Sequence, residues 1–265
     1  MSIGRTLVRR GLFANKWRLL LTATAVVLGV SFVSASFVLR DSLSSAFNGL
    51  AADINKGIDV QVRSKVAFGD RGTGNPVPAS LVPVVRAVPG VATAVGSVNV
   101  FGVTVIGRDG KAVIPAGAPT LGVSWSDVPG LSPLHLIAGR RPVGPDELAL
   151  DKGAASAAGY HVGDTVHVSL PTGKHEARLT GLVRFGSANS LAGAYLVVFD
   201  PAVAPVVLGL HGGYSTIDAQ SVPGVSDAEL AARVNRALPR GYEARTNAQI
   251  TAEGQAQFAT FVDAF

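Results

Sequence analysis

The stretch Leu19–Leu39, LLLTATAVVLGVSFVSASFVL, contains no charged residue, and it limits what the chain can fold into more than any other feature. A helix of this length rises roughly 31 Å at about 1.5 Å per residue, the thickness of a bilayer's hydrocarbon core. Arg18 and Arg40 bound it, with stems that lie in the apolar layer while their charges reach water. Trp17 stands where an aromatic belt would. The stretch therefore reads as a transmembrane helix over 19–39, with Arg9, Arg10, Lys16, Trp17, Arg18 and Arg40 as its interface anchors. Ser34-Ala35-Ser36 would suit a signal-peptide cleavage site, but the apolar core of such a peptide runs to only about 7–15 residues.

Charge sets the orientation. Arg5, Arg9, Arg10, Lys16 and Arg18 precede the span without one acid, and the first acid of the chain is Asp41. The positive-inside bias places the N-terminus in the cytoplasm of a cell-membrane protein and the residues after 40 outside. The formal net charge of +5 does not argue for nucleic acid. Six of the 23 bases lie in 1–40, so 17 bases face 18 acids beyond it, and the exported part is nearly neutral. With no cysteine, a disulfide framework and a thiolate metal site are excluded.

Thr22, Ala25, Gly29 and Ser36 recur at helical spacings along one face of the span, a small-residue stripe on which a second membrane helix can pack closely. Before the span, 1–18 mixes apolar and basic residues as a cytoplasmic interfacial segment. After it, Leu39, Leu43, Phe47, Leu50 and Ile54 keep spacings of three and four until Gly57, which predicts a helical stalk over 40–57.

The outer part reads as α+β. Asp59–Val66 alternates as a strand, Ala79–Val88 reads as a helix ended by Pro89-Gly90, and Val91–Val100 returns to extended structure. Asp109-Gly110 marks a hairpin between Val103–Ile106 and Ala112–Ile114. The same order recurs near the end. Tyr214–Gln220 reads as a strand, Ser226-Asp227-Ala228-Glu229 as a capping box opening a helix to Leu238, and Tyr242–Thr246 as a strand. Two strand–helix–strand units suggest a ferredoxin-like split βαβ, porter-like subdomain over 58–119 and 195–246. A β-rich insertion is expected over 120–194, with strands at Glu147–Leu150, Thr165–Leu170 and Glu176–Val183, a turn at Pro171-Thr172-Gly173-Lys174 and a helix at Lys152–Ala158. Residues 247–265 place Ile250, Phe258, Phe261, Val262 and Phe265 at helical spacings, as a helix leading toward a second span.

These features together resemble the N-terminal part of MacB/FtsX-type ABC transporter permeases. The residues that carry the likeness include Val27-Leu28-Gly29-Val30, Leu39-Arg40-Asp41-Ser42-Leu43 and Val88-Pro89-Gly90-Val91. Further on are Gly139-Arg140-Arg141-Pro142, Asp146-Glu147-Leu148-Ala149-Leu150-Asp151, Val162-Gly163-Asp164-Thr165-Val166 and Gly224-Val225-Ser226. The resemblance implies a permease subunit, or its N-terminal portion, that dimerises and is driven by a separate cytoplasmic ABC ATPase. It also implies later membrane spans, which this sequence lacks, so a truncated or split permease is expected. The runner-up is a single-span membrane-anchored interaction module outside any transporter.

Thr172-Gly173-Lys174 lacks the leading Gly and the closing Ser/Thr of a phosphate-binding loop. Gly122-Val123-Ser124-Trp125-Ser126 lacks the closing Gly of a nucleophile elbow, and His211-Gly212-Gly213 resembles an oxyanion loop only in isolation. His161, His167 and His175 fall around one strand pair, a pattern more common on strand surfaces than at metal sites. No enzyme, cofactor or metal is expected, and the exported substrate is not legible.

Overall fold

A computed structural model describes residues 17, 20–32, 34, 57–65, 75–115, 120–186 and 194–263, with side chains to 256. The chain divides into two units, Met1–Phe47 with Phe258–Phe265, and Asn48–Gln257. In the first, residues 20–32 are helical, as are Trp17 and Ser34. The apolar side chains from Leu20 to Phe32 are exposed on all sides. Among the described residues no helix is long and apolar enough to cross a membrane. Both ends of Leu19–Leu39 lie outside those residues. So do 1–16, Arg18 and the stalk expected over 40–57, Gly57 excepted.

In chain order the described elements of the second unit begin with β1 (Val60–Ser64), α1 (Leu81–Arg86), β2 (Val91–Ser97), β3 (Asn99–Phe101), β4 (Thr104–Ile106) and β5 (Ala112–Val113). Next come β6 (Leu121–Ser124), β7 (Leu134–Gly139), β8 (Glu147–Asp151), α2 (Lys152–Ala158), β9 (Thr165–Leu170) and β10 (Gly173–Phe185). The last are β11 (Leu196–Phe199), α3 (Ala204–Val207), β12 (Thr216–Ser221), α4 (Asp227–Ala237), β13 (Tyr242–Thr246) and α5 (Asn247–Asp263), of which only the residues to Gln257 belong to this unit.

Four strands form one sheet in the order β13-β1-β12-β2, every neighbouring pair antiparallel. Two crossovers feed it, β1–α1–β2 and β12–α4–β13. The period of two along the strands decides the faces. Val60 and Val62 of β1, Ala94 of β2, Ile217 and Ala219 of β12 and Ala244 of β13 are buried against Leu81 and Val85 of α1 and Leu230 and Val234 of α4. Each Val, Leu or Ile side chain fully buried here contributes about 1.5–3 kcal/mol.

The capping signal at Ser226 holds in one direction. Ser226 Oγ accepts from the Glu229 amide at 3.3 Å, but the Glu229 carboxylate turns to Arg233 one helical turn on, at 2.5 Å. Helix α1 is shorter than its apolar pattern and stops at Arg86, three residues ahead of Pro89-Gly90.

The remaining nine strands form a second sheet in the order β3-β6-β11-β8-β10-β9-β4-β5, with β7 also paired to β10. Strand β10 is its spine. Its first half pairs with β9 through the turn at Pro171-Thr172-Gly173-Lys174, and its second half pairs with β8 in parallel and β7 in antiparallel sense. The hairpin expected at Asp109-Gly110 joins β4 to β5, with Val105 opposite Val113. The β-rich part is wider than 120–194. Strands β3, β4, β5 and β11, in segments expected with the porter-like part, pair into the nine-stranded sheet instead. Their pairing partners β6, β8 and β9 lie within 120–194, and a short alternating segment carries no sign of which of two sheets it will join.

Candidate functional site

The face of the four-stranded sheet turned away from α1 and α4 is polar. Directly opposed residues share a face, so Arg245, Gln61, Asp218 and Val95 form one row across β13, β1, β12 and β2, with Glu243 opposite Arg63 in the next. Asp218 is buried, and burial pushes its carboxyl above the usual carboxylate range against the bonds that favour its anion. It accepts from Ser97 Oγ at 2.5 Å, Gln61 Nε2 at 2.9 Å and Thr216 Oγ1 at 3.1 Å, so three strands are tied through one side chain.

Beside it lies a ring of alternating charge. Arg63 Nη2 is 3.1 Å from Glu243 Oε1 and 2.6 Å from Glu253 Oε2 of α5. Arg245 Nη2 is 3.1 Å from Glu243 Oε2, and its Nε, out of solvent and without a hydrogen bond, is 3.7 Å from Glu253 Oε1. Burial works to raise the Glu243 carboxyl, but hydrogen bonds from Arg245 and Arg63 outweigh it and hold the group low. The hydrogen bond to Glu243 raises the Arg245 guanidinium in turn. None of Arg63, Glu243, Arg245 and Glu253 stood out in the sequence. The available signal was the charged pair Glu243 and Arg245 at a spacing of two around the apolar Ala244, which marks one face of a strand.

The second cluster is built by residues that the resemblance did single out. Arg140, just past β7, clamps Glu147 at the start of β8 with both guanidinium Nη atoms, one at 2.6 Å. Glu147 also accepts from the Val143 amide at 2.9 Å, and Arg141 pairs with Asp127. The Arg140 hydrogen bond holds the Glu147 carboxyl below its ordinary range. At the other end of β8, Asp151 is fully buried, and burial pushes its carboxyl up to about 6. Its two oxygens accept from the Ala154 amide of α2 at 3.0 Å and the Leu196 amide of β11 at 2.5 Å.

The histidines do not converge. His167 faces Glu176 at 3.1 Å, His175 Nε2 contacts the Pro145 carbonyl at 3.0 Å, and His161 lies 3.9 Å from Asp164. Among the described residues no group of three His, Cys, Asp or Glu could hold a metal ion. Ser124 sits on β6 and accepts from the Val98 amide at 3.0 Å. Thr172 Oγ1 donates to the Val207 carbonyl at 2.7 Å. Of the span's stripe, Thr22, Ala25 and Gly29 lie on the described helix and are exposed, and a Cβ at Gly29 would meet nothing within 4 Å. Trp17 is exposed. Ser36, Arg9, Arg10, Lys16, Arg18 and Arg40 lie outside the described residues.

Compared with known families, residues 19–237 match the MacB-like periplasmic core domain. The chain belongs to this family. The match begins at the first residue of the uncharged stretch and runs to the end of α4, taking in all nine strands of the second sheet and every strand of the first but β13. Among solved structures, the periplasmic region of MacB from Actinobacillus actinomycetemcomitans is similar at 16% identity and a TM-score of 0.50. That match covers 74% of this chain and 94% of the MacB region, and it shows a shared fold. The extracellular domain of the noncanonic ABC-type transporter YknZ from Gram-positive bacteria matches at 12% identity and a TM-score of 0.49, covering 71% of this chain and 99% of that one. No curated protein matches the chain. The resemblance to MacB/FtsX-type permeases read from the sequence therefore holds for the MacB-like core domain.

Proposed function

We propose that this chain is the membrane-anchored extracytoplasmic portion of a MacB/FtsX-like ABC transporter permease, coupling a separate cytoplasmic ATPase to export or mechanical work outside the cell membrane. One observation carries the reading: the family match starts within the uncharged stretch and continues unbroken through the core domain to residue 237. In this reading Leu19–Leu39 crosses the bilayer with its N-terminus inside, and the all-round apolar exposure of residues 20–32 supports it. Arg9, Arg10, Lys16, Trp17, Arg18 and Arg40 mark the interfaces. Thr22, Ala25, Gly29 and Ser36 form the face on which another permease helix packs.

The order β13-β1-β12-β2 with its two helical crossovers supports a ferredoxin-like, porter-like subdomain of 58–97 and 214–246. The nine-stranded sheet is then the inserted subdomain. The assembly contains remaining permease spans and a dimer of such subunits, and works by motion of the outer domain with no catalytic group of its own.

The test is purification from native membranes through a tag at the N-terminus, followed by mass spectrometry. Recovery of a multi-span polypeptide with a nucleotide-binding subunit is expected. Recovery of the chain alone, or with exported proteins only, would overturn the permease reading in favour of an anchored interaction module.

A further inference from the structure

Strand β13 passes into helix α5 with no intervening loop, from Thr246 to Asn247. The junction is bonded on both sides. Thr246 N donates to Gln249 Oε1 at 3.1 Å, Gln249 N donates to Thr246 Oγ1 at 3.3 Å, and Asn247 N donates to the Asp59 carbonyl beside β1 at 3.2 Å. Two helical turns on, Glu253 reaches back to the sheet and closes the ring with Arg63, Glu243 and Arg245.

Resting on the permease reading, we propose that this ring is an ionic joint, which fixes the first turns of α5 to β1 and β13 so that a displacement of the helix is delivered to the sheet as one rigid lever.

The geometry argues for a joint over scattered surface pairs. Each arginine touches both glutamates, so every charge in the ring has two opposite neighbours. All four side chains are 18–36% exposed, which leaves their interactions less screened than those of free surface charges. Glu253 alone comes from the helix. Its removal leaves Arg63 and Arg245 to share Glu243, and the sheet loses its ionic grip on α5 while keeping its own pairing. The neighbouring Asp218 network gives the polar face a rigid floor, because it ties β1, β12 and β2 independently of α5.

The experiment uses the full chain in detergent. The sequence has no cysteine, so a spin-label pair at Ala92→Cys on β2 and Gln255→Cys on α5, both exposed, reports the distance between sheet and helix without background. The otherwise unsubstituted pair is expected to give one narrow distance distribution. Glu253→Gln is expected to broaden it and to speed amide exchange over residues 247–256 by about ten-fold, the size set by losing charge-assisted bonds, with α4 unchanged. Inverting all four charges together (Arg63→Glu, Glu243→Arg, Arg245→Glu, Glu253→Arg) is expected to narrow the distribution again.

An unchanged distribution and exchange pattern in Glu253→Gln would overturn the joint. Faster exchange throughout, α4 included, would do so too, since Glu253 would then be a residue of general stability. Because the joint is measured on the chain alone and the permease reading on its partners, the failure of one is distinguishable from the failure of the other.

Discussion

Asn235 of α4 completes the ladder of the edge strand β13: its Nδ2 donates to the Ala244 carbonyl at 2.9 Å and its Oδ1 accepts from the Ala244 amide at 2.8 Å. The side-chain amide thus stands in for a further strand on an edge that would otherwise present open backbone groups. At the opposite edge, Arg86 of α1 donates to the Ala94 carbonyl of β2 at 2.7 Å, so each helix reaches the backbone of one edge strand of the sheet it packs on. Asn235→Ala removes two hydrogen bonds and is expected to cost about 1–3 kcal/mol in urea unfolding, with increased self-association. Asn235→Asp keeps the acceptor, loses the donor and is expected to fall between. Equal stability of all three proteins would mean that the edge needs no cover.

The pH dependence of stability should carry the signature of Asp151. Burial raises its carboxyl from 3.8 to about 6 in the folded protein, so the folded chain holds that proton more tightly than the unfolded chain. The contribution is fully present below 3.8 and is lost as the pH rises through about 6. The shift corresponds to something on the order of 2–3 kcal/mol. Asp151→Asn cannot titrate. Urea midpoints of the two proteins between pH 4 and pH 7.5 should therefore differ in slope, with the unsubstituted chain gaining on acidification relative to the variant. Parallel curves would show that the amide bonds to Ala154 and Leu196 keep the anion stable despite burial.

Much of the four-stranded sheet was legible because its strands alternate, Pro89-Gly90 and Pro239 follow closely on the ends of its helices, and Ser226 announces α4. What decided the width of the β-rich part was not local. Strand β3 follows β2 after Val98 alone, yet it pairs with β6 in the other sheet, and only partners far along the chain settle that choice. The charged ring was hidden for the same reason: Arg63 and Glu243 are 180 positions apart and meet only through strand register. Arg140 and Glu147 lie close in sequence and were quoted as motif residues, although their contact was not anticipated.

That contact is testable through its geometry. Arg140 grips Glu147 with two nitrogens, and lysine cannot reproduce the fork. Arg140→Lys and Glu147→Gln are both expected to speed amide exchange at Val143, whose N–H donates to Glu147 Oε2, while exchange in β9 stays unchanged. Since the Glu147 carboxyl is held low, its contribution is present above its unfolded value and lost as the pH falls through the folded one. Acidification should loosen Val143 in the unsubstituted protein and have little further effect in Glu147→Gln. Protection at Val143 that ignores both substitutions would sink the idea that the clamp orders this loop.

Gly139, which ends β7 immediately before Arg140, has φ of 72°, a conformation that L side chains rarely adopt. A Cβ there would lie 2.1 Å from the Thr180 carbonyl oxygen, the same atom that accepts from the Arg140 amide at 2.8 Å. Gly144, with φ of 80°, has an equally unusual backbone but nothing within 4 Å of an added Cβ. Strain alone should make Gly144→Ala cost about 1–2 kcal/mol. Gly139→Ala adds a collision with the backbone of β10 and is expected to cost about 3 kcal/mol or more, because β7 must leave β10 and release the Arg140 clamp with it. Urea unfolding of the two variants separates these contributions. If both cost the same, the close approach of β7 to β10 does not set the position of Arg140.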